Sequence, residues 1–213
     1  MLKRLLIAIA FSIAFAYIES AVVVYLRAIF HPNGFDFPLE VFGVTPVARR
    51  LLLTEIGREA ATLVLILTAA YLFGRTRQER AAYGLVIFAV WDIFYYVWLK
   101  VLLNWPGSIM DWDVLFLIPY VWASPVLYPV LVSLAMFVFA VAILWRTQSR
   151  PLIVKKTDWI GWAAASVVVI VSFCLGGTHI TEPDYAAHFH PALFGLGYAL
   201  GVAGCVRALA RWA

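Results

Sequence analysis

Six stretches of the chain, roughly 4–30, 51–74, 81–103, 118–146, 158–176 and 191–210, stay apolar for long enough to decide its architecture. About 20 apolar residues cross ~30 Å of hydrocarbon as an α-helix. Backbone N–H and C=O groups in lipid must be satisfied within the span, and these runs lack the alternation of barrel strands, so helix is the state open to them. The sequence therefore reads as an all-α, polytopic membrane helical bundle of about six transmembrane helices, one domain over 1–213. Composition agrees, with 64% hydrophobic and 13% charged residues against about 45–50% and about 25% in soluble domains. Pro119, Pro125 and Pro129 fall in the first half of the fourth run and predict a kink or a broken start there. Lys3 and Arg4 ahead of Leu5–Ala16 imitate a secretory signal peptide. The apolar run continues through Tyr17–Phe30, so the first helix is expected to be retained.

Basic residues set the expected orientation. Lys3 and Arg4, then Arg75, Arg77 and Arg80, then Arg146, Arg150, Lys155 and Lys156, and finally Arg207 and Arg211 fall on one side of a six-helix chain. That side is expected to be cytoplasmic, giving an N-in/C-in protein of a bacterial inner (cytoplasmic) membrane. Arg49 and Arg50 are the exception. The net charge of +4 belongs to this topology signal, and no nucleic acid is implied. The opposite side carries His31, Asp36 and Glu40 in loop one, Asp111 and Asp113 in loop three, and His179, Glu182, Asp184, His188 and His190 in loop five. Loop three, from Asn104, reads as a re-entrant or interfacial segment with Trp105 and Trp112 at headgroup level. Asp111 and Asp113 are expected to face water there. Cys174 and Cys205 lie in apolar runs and read as small buried hydrophobes.

Ionisable residues inside spans cost roughly +2.5–3.5 kcal/mol each on insertion scales and are functional candidates for that reason. With a rise of ~1.5 Å per residue, Glu19 on the first helix and Glu55 and Glu59 on the second lie in the outer half and Asp92 on the third near the midplane, all at similar heights. His188 and His190, just before Pro191, lie at the outer end of the sixth. Glu55, Arg58 and Glu59 share one face by their i, i+3, i+4 spacing, which Thr62 continues. Carboxylates joined by imidazoles are a ligand set for Zn, Fe or Mn. In composition the set resembles carboxylate-bridged di-metal sites on four packed helices. It departs from them in having no Glu-x-x-His, only Glu55-x-x-x-Glu59, which favours a mononuclear site. Glu19, Glu55, Glu59, His188 and His190 are the expected metal ligands, and Asp92, Tyr95 and Tyr96 the expected catalytic groups. Arg58, His179 and Lys100 complete the candidate site. Against this stand plainer roles: an intrahelical ion pair for Glu55, Arg58 and Glu59; pairing of Glu19 with Arg58, Arg27 or Lys100; interfacial positions for the histidines; and a Lys100 that snorkels to the outer interface.

P-loop, GxGxxG, GxSxG and HExxH motifs are absent. Three functional classes follow. The first is a metal-dependent membrane enzyme with a site open to the outside, acting on a lipid-like or quinone-like molecule from the bilayer. The second is a non-catalytic membrane subunit or scaffold, in which the polar cluster fixes helix packing and small residues such as Gly195 and Gly201 allow close approach. The third is a proton- or cation-coupled transporter using Glu19, Glu55, Glu59 and Asp92 as relays. A dry inner half, with few polar groups beyond Ser12, Thr68 and Ser172, disfavours the third.

Overall fold

A computed structural model describes residues 1–32, 34–39, 45–147 and 151–211; Glu40 and Arg150 lie outside the described residues. Six helices are long and apolar enough to cross a membrane: α1 (Leu2–Phe30), α2 (Pro46–Phe73), α3 (Arg77–Leu103), α4 (Leu127–Arg146), α5 (Lys156–Gly177) and α6 (Pro191–Ala210).

Local chemistry sets several helix ends. Thr45 caps α2, its hydroxyl accepting the Ala48 N–H at 3.1 Å, and Pro46 follows at the first helical position, where its missing N–H costs nothing. Thr76 caps α3 in the same way through Glu79 N–H, 3.1 Å away. Asn104 closes α3 in the left-handed region, φ 54°, a conformation that asparagine tolerates better than most residues. At the start of α5, fully buried Asp158 accepts the Lys155 N–H and also binds Arg207 and Arg211, tying this helix to the end of α6.

The third helix is the hub. It packs against α1, α2 and α4, while α5 packs against α6. Ala82, Val86, Ile87 and Ala89 are fully buried on it, and Leu5, Phe15, Ile66, Phe139 and Ile143 close around it. By contrast, α1 and α2 barely touch along their backbones and are joined by side chains. Close packing of α5 on α6 depends on Gly197 and Gly204, where an added Cβ would meet Val168, Val169 and Trp162 within about 3 Å.

The fourth span is shorter than its apolar run. Residues expected to begin a helix at 118 instead form an antiparallel hairpin, β1 (Trp112–Phe116) with β2 (Trp122–Pro125), and α4 starts at Leu127. Proline explains the difference. Pro119 lies between the strands and Pro125 ends β2, positions where a missing N–H breaks no ladder, and Pro129 sits in the first turn of α4, whose N–H groups have no intrahelical acceptor. An isolated hairpin is marginal in water. This one is held by Asp111 C=O and Ile109 C=O, which accept the N–H groups of Val126 and Leu127 at 3.0 and 2.8 Å. It is also laid directly on Gly176 and Gly177 of α5, where a Cβ would run into the carbonyl oxygens of Ala123 and Val121.

Candidate functional site

The hairpin roofs a cavity of about 370 Å3 bounded by α1, α2 and α3. It lies where α1 and α2 both pack on α3 but make few backbone contacts with each other. Val23, Leu26, Leu51, Leu52, Phe116 and Val121 supply apolar walls. Loop one adds His31, Phe35 and Leu39, and loop five adds Ile180, whose carbonyl accepts the Leu39 N–H at 2.7 Å.

The polar groups gather on the cavity lining in three sets. Arg58 binds Glu19 of α1 and Glu55 of its own helix, donating to Glu55 from Nε at 2.9 Å. Thr62, a turn further on, donates its hydroxyl to Glu19 at 2.7 Å. Glu59, 5% exposed, accepts the Leu117 N–H with both carboxylate oxygens at 2.9 and 3.1 Å, and so fastens α2 to the hairpin. Asp92 accepts the Ser133 hydroxyl of α4 at 2.7 Å. Tyr95 and Tyr96 meet edge to face with ring centroids 5.0 Å apart, and the Tyr95 carbonyl accepts the Ser20 hydroxyl of α1 at 3.1 Å.

A second buried pair closes the cavity toward loop one. Arg27 donates to Asp113 at 3.2 Å, and its guanidinium carbon lies 3.8 Å from the ring centroids of both Phe35 and Trp105. Asp113 stands outside the six spans, in β1, and is only 2% exposed. Burial pushes its carboxyl up to about 6, with the Arg27 charge the chief opposing influence.

The structure thus gathers seven of the candidate residues, Glu19, Glu55, Arg58, Glu59, Asp92, Tyr95 and Tyr96, around one cavity. It does not bring His188, His190 or His179 to them. Phe189 decides this, because its ring is buried against Phe173, Phe194, Tyr128 and Trp112 and draws loop five onto the α4–α5–α6 side of the hairpin. His190 caps the start of α6 through its carbonyl, which accepts the Leu193 N–H at 3.0 Å. His179 and His188 stack on each other, centroids 3.6 Å apart and planes 13° apart. Lys100 binds the Pro106 and Asn104 carbonyls at 2.9 and 3.3 Å, at the C-terminal end of α3 and away from the cavity. The five expected ligands are therefore not gathered in one place, and Arg58 binds Glu19 and Glu55 across the α1–α2 gap.

Two cavity residues carried little signal in the sequence. Asp113 was expected in water beside Asp111, yet it is buried. Arg27 was noted only as a partner for Glu19, and it pairs instead with Asp113. Their approach depends on a hairpin that hydropathy does not reveal. Among the described residues, one group of side chains has metal-ligand spacing: His179, Glu182 and His188, whose ligand atoms lie within 4.8 Å of one another.

No protein-family model, curated protein or solved structure matches the chain. Fold and site alone define its class, a bundle of six helices of membrane-crossing length with an amphipathic cavity between the first three and the hairpin.

Proposed function

We propose that this is an integral membrane protein that binds an amphipathic molecule from the lipid phase in the cavity between α1, α2, α3 and the hairpin. One observation carries the reading. The cavity joins apolar walls wide enough for a drug-sized or lipid-like body to a polar floor that can address a head group. The loose seam between α1 and α2 offers a lateral way in. By the distribution of Lys and Arg, the hairpin end faces the periplasm and both termini the cytoplasm. A head group on the floor would meet Asp92, Glu59, Tyr95 and Tyr96, groups suited to give or take a proton in an enzymatic step. The opposite end is filled by the cluster around Phe15, Val86, Ile87 and Phe139. That packing favours a cavity with a closed floor over a conducting path. A Leu52→Trp variant, which fills the cavity from its apolar wall, tests the proposal. Lipid-phase molecules that copurify with the protein, read by mass spectrometry, should be lost from the variant while it still runs as a monodisperse species. An unchanged lipid profile would remove the basis for the reading.

The histidines of loop five support a second reading, a divalent-metal centre that assists chemistry at the same end of the bundle. Two imidazoles and a carboxylate are the ligand set of open, catalytic zinc sites. His179 and His188 lie nearly parallel, so their rings would have to turn for both lone pairs to reach one ion at ~2.0–2.1 Å. Zinc titration into metal-free protein should raise its melting temperature through His188, and His188→Ala should abolish the rise. A rise that survives the substitution places the metal elsewhere.

A further inference from the structure

The cavity holds an imbalance of charge that its own residues do not resolve. Among the described residues, five carboxyl groups line it: Glu19 from α1, Glu55 and Glu59 from α2, Asp92 from α3 and Asp113 from the hairpin. Two guanidinium groups face them, Arg27 and Arg58. Arg27 is engaged with Asp113, and Arg58 with Glu19 and Glu55. Glu59 and Asp92 make no ion pair among the described residues; their partners are an amide N–H and a serine hydroxyl. The remaining titratable groups on the lining are His31, Tyr95 and Tyr96. Even a charged His31 leaves five acids facing three bases. The α4 side contributes only the Ser133 hydroxyl, and loop five only apolar Ile180.

Uncompensated carboxylates on buried side chains are expensive, so they hold protons or meet a cation. An anionic head group would add to the excess and is disfavoured. A cation would relieve it, and the aromatic side chains of Tyr95 and Tyr96 on the same lining add groups that attract cations. Resting on the cavity reading above, we infer that the molecule taken here is an organic monocation, a substituted ammonium group on an apolar body, and that it binds by displacing a proton. The step balances. A protonated carboxyl at Glu59 or Asp92 gives its proton to solvent, and the carboxylate left behind pairs with the incoming ammonium. No bond to carbon is made or broken. Because proton and ligand compete for one carboxyl, affinity rises with pH, by up to about tenfold per unit for one exchanged proton.

The test uses the full chain in neutral nanodiscs and three amphiphiles sharing a dodecyl body: dodecyltrimethylammonium, dodecanol and dodecanoate. Calorimetry in two buffers of different ionisation enthalpy reads affinity and proton release together. The expected result is that the ammonium compound binds at least tenfold more tightly than the alcohol, with proton release and rising affinity from pH 6 to 8. Glu59→Gln and Asp92→Asn should each reduce the ammonium affinity and the released protons. Retained binding of the alcohol shows that the variants are folded. Equal or tighter binding of dodecanol or dodecanoate overturns the inference, as does ammonium binding without proton release. If the alcohol binds as well as the ammonium compound and Leu52→Trp abolishes both, the cavity stands and the head-group class is wrong. If none of the three binds, the cavity reading fails as well.

Discussion

Arg58 is the residue on which the floor of the cavity turns. It carries one charge and answers two acids, Glu19 across the α1–α2 gap and Glu55 on its own helix. Removing one member of a buried ion pair leaves the others charged with no partner, at a cost of about 3–5 kcal/mol. Arg58→Gln is therefore expected to lower the melting temperature in detergent by well over 5 °C. The triple variant Glu19→Gln/Glu55→Gln/Arg58→Gln, which removes the stranded charges too, should recover most of that loss. A triple variant no more stable than the single one would show that the guanidinium acts by packing rather than charge. Asp113 makes a prediction in pH. Its carboxyl is raised from 3.8 to about 6, so the folded state holds this proton over a range where the unfolded chain releases it. The sign follows directly: the stability contributed at low pH is lost as pH rises from about 4 through 6 and stays lost above. Asp113→Asn, compared with the parent chain by thermal unfolding between pH 4.5 and 7.5, should show a shallower decline with pH.

At the scale of elements, the hairpin is the part to perturb. It roofs the cavity between α1, α2 and α3, and it rests on two glycines of α5. Gly177→Ala places a methyl group where the Val121 carbonyl oxygen now sits, and the turn leading into β2 must move. Overpacking of this kind costs about 1–3 kcal/mol. Because Leu117 on the same hairpin donates to Glu59, the shift should loosen α2 as well. Hydrogen exchange at the Leu117 amide should therefore speed up in Gly177→Ala, and an unchanged rate would separate roof from floor. The element scale also shows where hydropathy misled. The fourth run reads as one long span with three prolines, but it divides into the second strand of the hairpin and a shorter helix. Apolar content alone cannot tell a lipid-facing helix from a strand pair buried against other helices, since both need the same residue types.

At the scale of the whole molecule, the bundle is asymmetric. One end is packed with hydrophobic side chains, and the other holds the cavity, the hairpin and the histidines of loop five. The proposed orientation gives that asymmetry a direction. With Cys174 and Cys205 replaced by Ala, a cysteine at Ser108, in the exposed turn after α3, should react in intact cells with a membrane-impermeant thiol reagent. A cysteine at Arg75, in the exposed turn between α2 and α3, should react only after permeabilisation. The opposite pattern would invert the bundle and put the cavity on the cytoplasmic side.

Length and hydropathy were enough to place five of the six helices to within a few residues, because burial in lipid leaves a backbone almost no alternative to the helix. The i, i+3, i+4 spacing of Glu55, Arg58 and Glu59 likewise put them on one face, since helical period is a local property. The heights of Glu19 and Asp92 followed from rise per residue. Which of these groups meet was a different matter. Depth along a helix is written in the chain, but rotation about the helix axis and the partner across a gap depend on packing between distant segments. Only the tertiary structure sends Phe189 into an aromatic cluster and so carries His188 and His190 away from the acids. Only it buries Asp113 against Arg27, 86 residues apart in the chain, because that meeting requires a hairpin, two glycines and a helix hub to be in place at once.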